Sequence, residues 1–418
     1  MHRASTSRTR GRSMFAIWLG IATPALALAG AASSQTPDLS LWSIERIRSN
    51  VLSETRVIRV ALPLTYKAKA YASERYPVLI VLDAQDELGL AAIIANARAL
   101  ARPAAPAIPE LIVIGVETLR NRYRDTTLPP LDGPARTQQG IGGAPAFAEF
   151  LTTELLPFVA SRYRSMPFTV VEGHSMTGLF AGYLYGHSPK NINAIVALSS
   201  SLTWNGGVAY KQILEGVRAR TTPGRFFLAA SRDESAELAS AAREFASNLA
   251  GYTGPTTFEY RELIDDSHPN TQVQGTIDGL RFIFRPVSLA GNHFEEAADE
   301  SAASFSTRYA NVRQQYLAGA AGLGLPARLP FEMGFLMSQW MLDEPNLLSA
   351  VSVICEDIVR DHPALWHGHE CRGRVRREMG DLLGAGTAFQ EALRLAKQVG
   401  NAEGRAAAEN GLRAIARR

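Results

Sequence analysis

Between Thr169 and Gly178 the chain runs Thr-Val-Val-Glu-Gly-His-Ser-Met-Thr-Gly, and the small-residue segment Leu179-Phe180-Ala181-Gly182-Tyr183 follows at once. A β-branched run that stops at glycine with no loop before a helical segment leaves one local solution: a strand, a sharp turn, and a helix packed back on the strand. The turn puts Ser175 in a strained position with its hydroxyl clear of the sheet, the arrangement of a nucleophile elbow. Gly173 is read as small because strand and helix approach closely there. The usual spacing is Gly-x-Ser-x-Gly; here its last position is Thr177, and glycine comes one residue later, at Gly178.

The same alternation recurs along the chain. Apolar runs at 55–62, 76–82, 111–115, 168–171, 194–198, 225–229 and 257–263 read as strands. Between them lie helical segments, clearest at 146–163, where Phe147, Phe150, Leu151, Leu155, Phe158 and Val159 share a face. The expected fold is α/β: a doubly wound, mostly parallel sheet with helices on both faces. The Gly- and Pro-rich stretch 126–143 is long for a connector, and suits a functional lid and a plain surface excursion equally well.

A serine nucleophile needs a base and an acid, which in sheet-based hydrolases follow it in the order Ser, Asp or Glu, His. Of eight histidines, His2 lies in a targeting segment, His174 adjoins the serine, and His187 closes the following helix. His293, His362, His367 and His369 fall beyond the expected end of the α/β part, near residue 290. His268 remains, in the polar loop Asp265-Asp266-Ser267-His268-Pro269-Asn270, before a helix expected near Thr276. Asp233 and Glu234 follow the run 225–229, and either carboxylate could orient the imidazole. Acyl transfer also needs oxyanion donors: the Met176 amide, and one from the loop after 76–82, where Gln85 is the choice, with Ala84 and Asp86 beside it. Trp204, after a strand end, and His174, whose side chain is expected to point away from the hydroxyl, are the candidate substrate-binding residues.

Several segments in order resemble the esterase family of the α/β-hydrolase fold that includes esterase D, the enterochelin esterases and the mycolyltransferases. YPVLIVLDAQ is similar to the family's YPVLYLLDG, RNRYRDTTLPP to RTRDLTP, and FAEFLTTELLPFVASRYR to its FLxFLxxELIPYIExxYR helix. GHSMTGLFAGYLYGHSP resembles GHSxGGLFALYALLxxP, ALSSSLTWNGG resembles SPSLWW, and SHPNTQVQGTIDGLRFIF resembles HxSxPxxxLYDGLRxLF. The resemblance spans about residues 44–287 and aligns the family's acid with Glu234, making Asp233 the alternative. It implies a serine hydrolase that cleaves carboxylic esters through an acyl-enzyme. The mycolyltransferase relatives imply a second use of the same triad, acyl transfer to an alcohol. Two positions depart from the pattern: Ala84 adds a methyl beside the oxyanion loop, and Thr177 is expected to crowd strand–helix packing or reshape the acyl pocket. A domain silenced by those changes, binding a partner through its tail, is the non-enzymatic alternative.

With 418 residues, 46% hydrophobic and 20% charged, the chain can build two or three soluble domains. A net charge of +3 with scattered arginines argues against nucleic acid. Arg3, Arg8, Arg10 and Arg12, the apolar stretch 14–28 and Ala29-Gly30-Ala31 read as a secretory signal over 1–34, so a periplasmic or secreted protein without stable membrane insertion is expected. The α/β domain is expected over 40–290 and an all-helical one over 300–418. In the latter, Gly373, Gly380, Ala385, Phe389 and Ala392 match tetratricopeptide spacing, with Arg372 and Arg376 at positions where apolar residues are usual. That tail could cap the catalytic part, self-associate or bind a protein partner. Cys355 and Cys371, on two expected helices joined near Asp361-His362-Pro363, suit a disulfide in an oxidising compartment. His362, His367, His369 and Glu370 lack the spacing of a metal site and are expected to be solvated helix-start residues. No cofactor is required; the expected partner is a small-molecule ester.

Overall fold

The computed structural model describes residues 40–103, 105–128, 140–188, 190–291, 300–342 and 344–417. The segment expected to be a secretory signal and most of the 126–143 stretch lie outside them.

Eight strands form one sheet: β1 (Ser43–Ser49), β2 (Glu54–Ala61), β3 (Tyr76–Leu82), β4 (Ile112–Val116), β5 (Ser165–His174), β6 (Ala194–Leu198), β7 (Gly224–Ser231) and β8 (Thr256–Leu263). Their order is β1-β2-β4-β3-β5-β6-β7-β8. The first two pairings are antiparallel and β4 to β8 run parallel. Strand β3 therefore has β4 on one side and β5 on the other, and the chain order reverses there. In open α/β sheets that reversal leaves a crevice beyond the carboxyl ends of the strands, where ligands bind.

Side-chain alternation sorts the core into two layers. Ile80, Val171, Ile195 and Leu228 face one side, against α3 (Ala144–Glu149), α4 (Leu156–Arg162), α5 (Met176–His187), α6 (Trp204–Ala219) and α7 (Ala236–Leu249). Leu79, Val170, Val196 and Phe227 face the other, against α1 (Glu87–Leu100) and α8 (Thr271–Phe284). The short helix α2 (Arg122–Thr126) follows β4. The helix expected over 146–163 is interrupted: Phe150–Leu155 takes the wider π form between α3 and α4. Strand β1 was not anticipated, because its sequence, Ser-Ile-Glu-Arg-Ile-Arg-Ser, is that of a charged edge strand.

Beyond the sheet come α9 (Ala302–Leu323), α10 (Phe331–Met341), α11 (Leu348–Asp361), α12 (Trp366–Glu378), α13 (Leu382–Val399) and α14 (Ala402–Ala416). Residues 41–418 form one compact unit. Helix α9 docks on the α1/α8 layer through Ala320, flanked by Tyr316 and Leu323. Arg328 pairs with Glu74, and Tyr71 meets Phe331 edge-on at 6.3 Å. A cavity of about 240 Å³ lies between these parts, lined by Tyr71, Glu110, Phe331 and Glu332, with none of the candidate catalytic residues in its wall. Among the described residues no helix is long and apolar enough to cross a membrane.

The α12–α13 contact explains the small-residue spacing. A methyl on Gly373 would sit 2.7 Å from the Phe389 ring, and one on Gly411 of α14 would sit 2.5 Å from the same ring. Arg372 and Arg376, in place of apolar residues, both pair with Glu356 on α11. The neighbouring histidines are buried rather than solvated. His362 Nε2 meets the Leu329 carbonyl at 2.8 Å, His369 and Glu370 are buried, and His367 lies against Phe331, Phe335 and Trp366. Burial pushes His367 down to about 4, so it packs as a neutral aromatic ring. Among the described residues no three His, Cys, Asp or Glu side chains converge as a metal site would need.

Cys355 and Cys371 form a disulfide between α11 and α12, with Cα atoms 5.6 Å apart. The bridge spans 16 residues of sequence, and restricting an unfolded loop of that length stabilises by about 3 kcal/mol. Reduction is expected to lower the urea midpoint accordingly. A Cys355→Ala/Cys371→Ala double variant should start at the lower midpoint and not respond to reductant.

Candidate functional site

The site forms at the carboxyl ends of β3, β5, β6, β7 and β8. Strand β5 ends at His174 and α5 begins at Met176, leaving Ser175 alone to make the turn, at φ 60° and ψ −116°. A left-handed φ on a residue with a side chain is strained, and the close packing around it shows why it holds. A Cβ on Gly173 would lie 2.2 Å from the Thr177 carbonyl oxygen, and one on Gly178 would lie 2.7 Å from Ser200 Oγ. Glycine is thus required at 173 and 178.

Thr177 does not crowd the elbow. Its hydroxyl is buried, accepts from the His174 amide at 2.9 Å, and lies 3.0 Å from Asp83 Oδ2 and 2.8 Å from the His174 carbonyl. Ala84 is accommodated as well: its methyl occupies the space where a side chain on Gly115 would be, 2.7 Å from that position. Both departures from the family pattern are therefore absorbed by compensating neighbours.

Asp83, also at positive φ (60°), organises this edge. Its carboxylate accepts from Arg122 Nε at 3.0 and 3.1 Å, from the Thr118 hydroxyl, and from Gln85 Nε2 at 3.3 Å. Arg122 reaches on to the His174 carbonyl, 3.1 Å away. The next arginine on α2 works below it: Arg124 pairs with Glu54 and Asp125, and Arg56 of β2 pairs with the buried Asp125. The segment Arg122-Tyr123-Arg124-Asp125 thus ties α2 to the loop after β3 and to β2 at once.

On the far side of Ser175, His268 begins a 3₁₀ turn, His268–Asn270, between β8 and α8. Its Nδ1 lies 2.8 Å from Glu234 Oε2, with the Glu234 side chain 1% exposed and the imidazole 35% exposed. Asp233 is exposed and, among the described residues, bonds only by its amide, to Ser231 Oγ at 2.9 Å, so Glu234 is the carboxylate that stands beside His268. The His268 carbonyl is 2.7 Å from His174 Nε2 and accepts from Thr271 Oγ1 at 3.0 Å. The His174 and His268 rings meet edge-on at 4.8 Å. Burial lowers the His174 pKa, and Nε2 carries a proton in this contact, since a carbonyl only accepts. His174, a candidate substrate-binding residue, has its ring nitrogen committed to the His268 carbonyl instead.

The Ser175 hydroxyl touches Ser201 Oγ at 3.3 Å and makes no hydrogen bond to His268 among the described residues. Bonds of this kind commonly close only when substrate is bound. The donors for an oxyanion are distinguishable. Ala84 N–H donates to the Val116 carbonyl and Asp86 N–H to the Asp83 carbonyl, each within 3.1 Å, while the Gln85 N–H has no partner among the described residues. Met176 is the first residue of α5, where an amide has no partner within the helix. Trp204 opens α6, half-buried against the core, with the exposed Tyr123 ring 6.2 Å from it. Asp83, Arg122, Tyr123 and Ser201 are the residues that sequence reasoning missed. Each lies inside a segment already matched to the family, but their pairings join loops after different strands.

Residues 49–243 match the family model described as "Putative esterase". The siderophore triacetylfusarinine C esterase of Aspergillus fumigatus is 27% identical over 164 residues, 37% of this chain and 54% of that protein. The ferri-bacillibactin esterase BesA of Bacillus subtilis is 30% identical over 142 residues, 31% of this chain and 49% of that protein. The chain thus spans about half the length of the curated relatives it matches. Among solved structures, an IroE-like serine hydrolase from Shewanella oneidensis superposes with a TM-score of 0.63 at 23% identity, covering 76% of this chain and 99% of that one, a likeness of fold. The family model is thus matched across the elbow, and the solved structure shares the sheet architecture around it.

Proposed function

We propose that the protein is a serine esterase that hydrolyses small-molecule carboxylic esters. The observation that carries the reading is the His268–Glu234 pair, 2.8 Å apart, on loops flanking a serine held at a strained elbow. Ser175 Oγ attacks the ester carbonyl as His268 Nε2 takes its proton, with Glu234 holding Nδ1–H and stabilising the imidazolium. The Met176 and Gln85 amides receive the oxyanion. The imidazolium then protonates the leaving alcohol, leaving an acyl-Ser175. Water, deprotonated by His268, attacks that ester, and Ser175 recovers its proton as the acid leaves.

The relatives named for siderophore esterase activity make siderophore esters the first substrates to screen, beside short acyl and aryl esters. The Cys355–Cys371 disulfide supports an exported protein, periplasmic or secreted. The reading is tested by incubating the protein with an alkyl fluorophosphonate and measuring intact mass. One phosphonyl adduct on Ser175, with turnover of at least one ester of the screen, is expected. A folded protein that neither labels nor turns over would leave a binding scaffold as the better account.

A further inference from the structure

The nucleophile has a neighbour that the triad does not account for. Strand β6 ends at Leu198 and the chain continues Ser199-Ser200-Ser201. This segment holds Ser175 at several points. The Ser175 N–H donates to the Leu198 carbonyl at 2.9 Å, and the Ser201 N–H donates to the Ser175 carbonyl at 3.1 Å. Ser201 Oγ also lies 3.3 Å from Ser175 Oγ. The three serines have separate tasks. Ser199 Oγ donates to Thr271 Oγ1, itself bonded to the His268 carbonyl, and so belongs to the base loop. Ser200 Oγ is buried with no partner among the described residues, at the position that keeps 178 a glycine. Only Ser201 presents a hydroxyl to the reacting oxygen.

A hydroxyl carries one proton. For Ser175 to act as nucleophile its proton must point at His268 Nε2, so the contact with Ser201 can then be made only with Ser201 as donor. We propose that Ser201 is a further catalytic residue, donating a hydrogen bond to Ser175 Oγ. The proposal rests on Ser175 being the nucleophile. As His268 removes the Ser175 proton, negative charge builds on Oγ until the bond to the carbonyl carbon forms, and a hydrogen bond to the charged form stabilises it. In deacylation the bond between the acyl carbon and Oγ breaks and Oγ again gathers charge until the imidazolium returns its proton. The Ser201 proton stays on Ser201 throughout, and the proton count is that of the triad alone.

The geometry allows the hydroxyl to be removed by itself. Ser201 holds the turn by backbone bonds, its N–H to Ser175 and its carbonyl accepting from the Trp204 N–H at 3.0 Å, and both survive substitution of the side chain. The experiment is the second-order rate constant for fluorophosphonate labelling of Ser175, measured in the full chain from pH 6 to 9. Ser201→Ala is expected to label about tenfold or more slowly, in the range seen when one donor to a developing oxyanion is lost. The pair Ser201→Thr and Ser201→Val, nearly equal in shape, separates hydroxyl from packing: Thr should label at least tenfold faster than Val, as a consequence of the retained donor. Equal rates for Thr and Val, or Ser201→Ala within twofold of the unsubstituted protein, would overturn the role of Ser201 and leave Ser175 as nucleophile. A folded, unsubstituted protein that does not label at all would remove both.

Discussion

Ser175→Ala is expected to lower kcat for ester hydrolysis by about 10⁴-fold or more, as removal of the nucleophile does in enzymes that use a triad as a unit. The fold should not register the change. Alanine keeps the Cβ, so the turn at φ 60° remains as strained as before, and the substitution removes only the approach of the hydroxyl to Ser201 at 3.3 Å. Glycine at the same position makes the opposite prediction for stability. It adopts the left-handed region freely, so Ser175→Gly should be more stable than Ser175→Ala by about 1 kcal/mol, the lower end of the strain stored at such positions. Steady-state kinetics and urea unfolding of both variants check the pair of expectations. Turnover by Ser175→Ala at more than a hundredth of the normal rate would take the nucleophile's role from Ser175.

Glu172→Gln should change how stability depends on pH. Glu172 precedes Gly173 in β5, points to the α8 side, and is fully buried, which pushes its pKa up to about 8. The hydrogen bonding agrees with a neutral acid. Thr276 Oγ1 is 2.6 Å from Glu172 Oε1 and also 2.6 Å from the Gln272 carbonyl. The threonine proton goes to the carbonyl, which can only accept, so the proton in the other contact sits on the glutamic acid. Below about pH 4.5 the carboxyl is neutral in both folded and unfolded chains and burial carries no ionic penalty. Between pH 4.5 and 8 the unfolded chain ionises and the folded one does not, so folding loses about 1.4 kcal/mol per pH unit. Above 8 the loss levels off. Urea unfolding at pH 5 and pH 8 should show the glutamine variant gaining on the unsubstituted protein by a few kcal/mol, on the order of 4, over that window. Parallel curves would mean Glu172 is ionised in the fold.

The strands that read most clearly were those buried on both faces. Tyr76–Leu82 and Ala194–Leu198 begin and end where their unbroken apolar runs do, because a central parallel strand has no solvent face to mark with polar residues. Strand β1 escaped because an edge strand alternates charge with isoleucine and carries little core signal. The π turn at Phe150–Leu155 left the apolar spacing of 146–163 intact, so it could not be seen as a break. The histidines of α12 were misread for a related reason. Next to arginines and a glutamate they look solvated, whereas Phe331 and Phe335 of α10 pack on the His367 ring and His369 is buried.

The order of strands and helices, the elbow at Ser175 and the isolation of His268 as a candidate base were properties of the sequence, because each follows from local chemistry: backbone sterics, periodicity, or the scarcity of a residue type. Tertiary structure decided the rest. Asp233 and Glu234 are adjacent and chemically alike, and only the direction of each side chain gives Glu234 to His268. Among the amides of Ala84, Gln85 and Asp86, only the bonds formed across the sheet and turn show which one is left over. Thr177 looks like a defect until Asp83, 94 positions away, is seen to take its hydroxyl. Ser201 meets Ser175 from the next strand over. A contact between loops that follow different strands depends on where the sheet holds their ends, and no spacing along the chain records that distance.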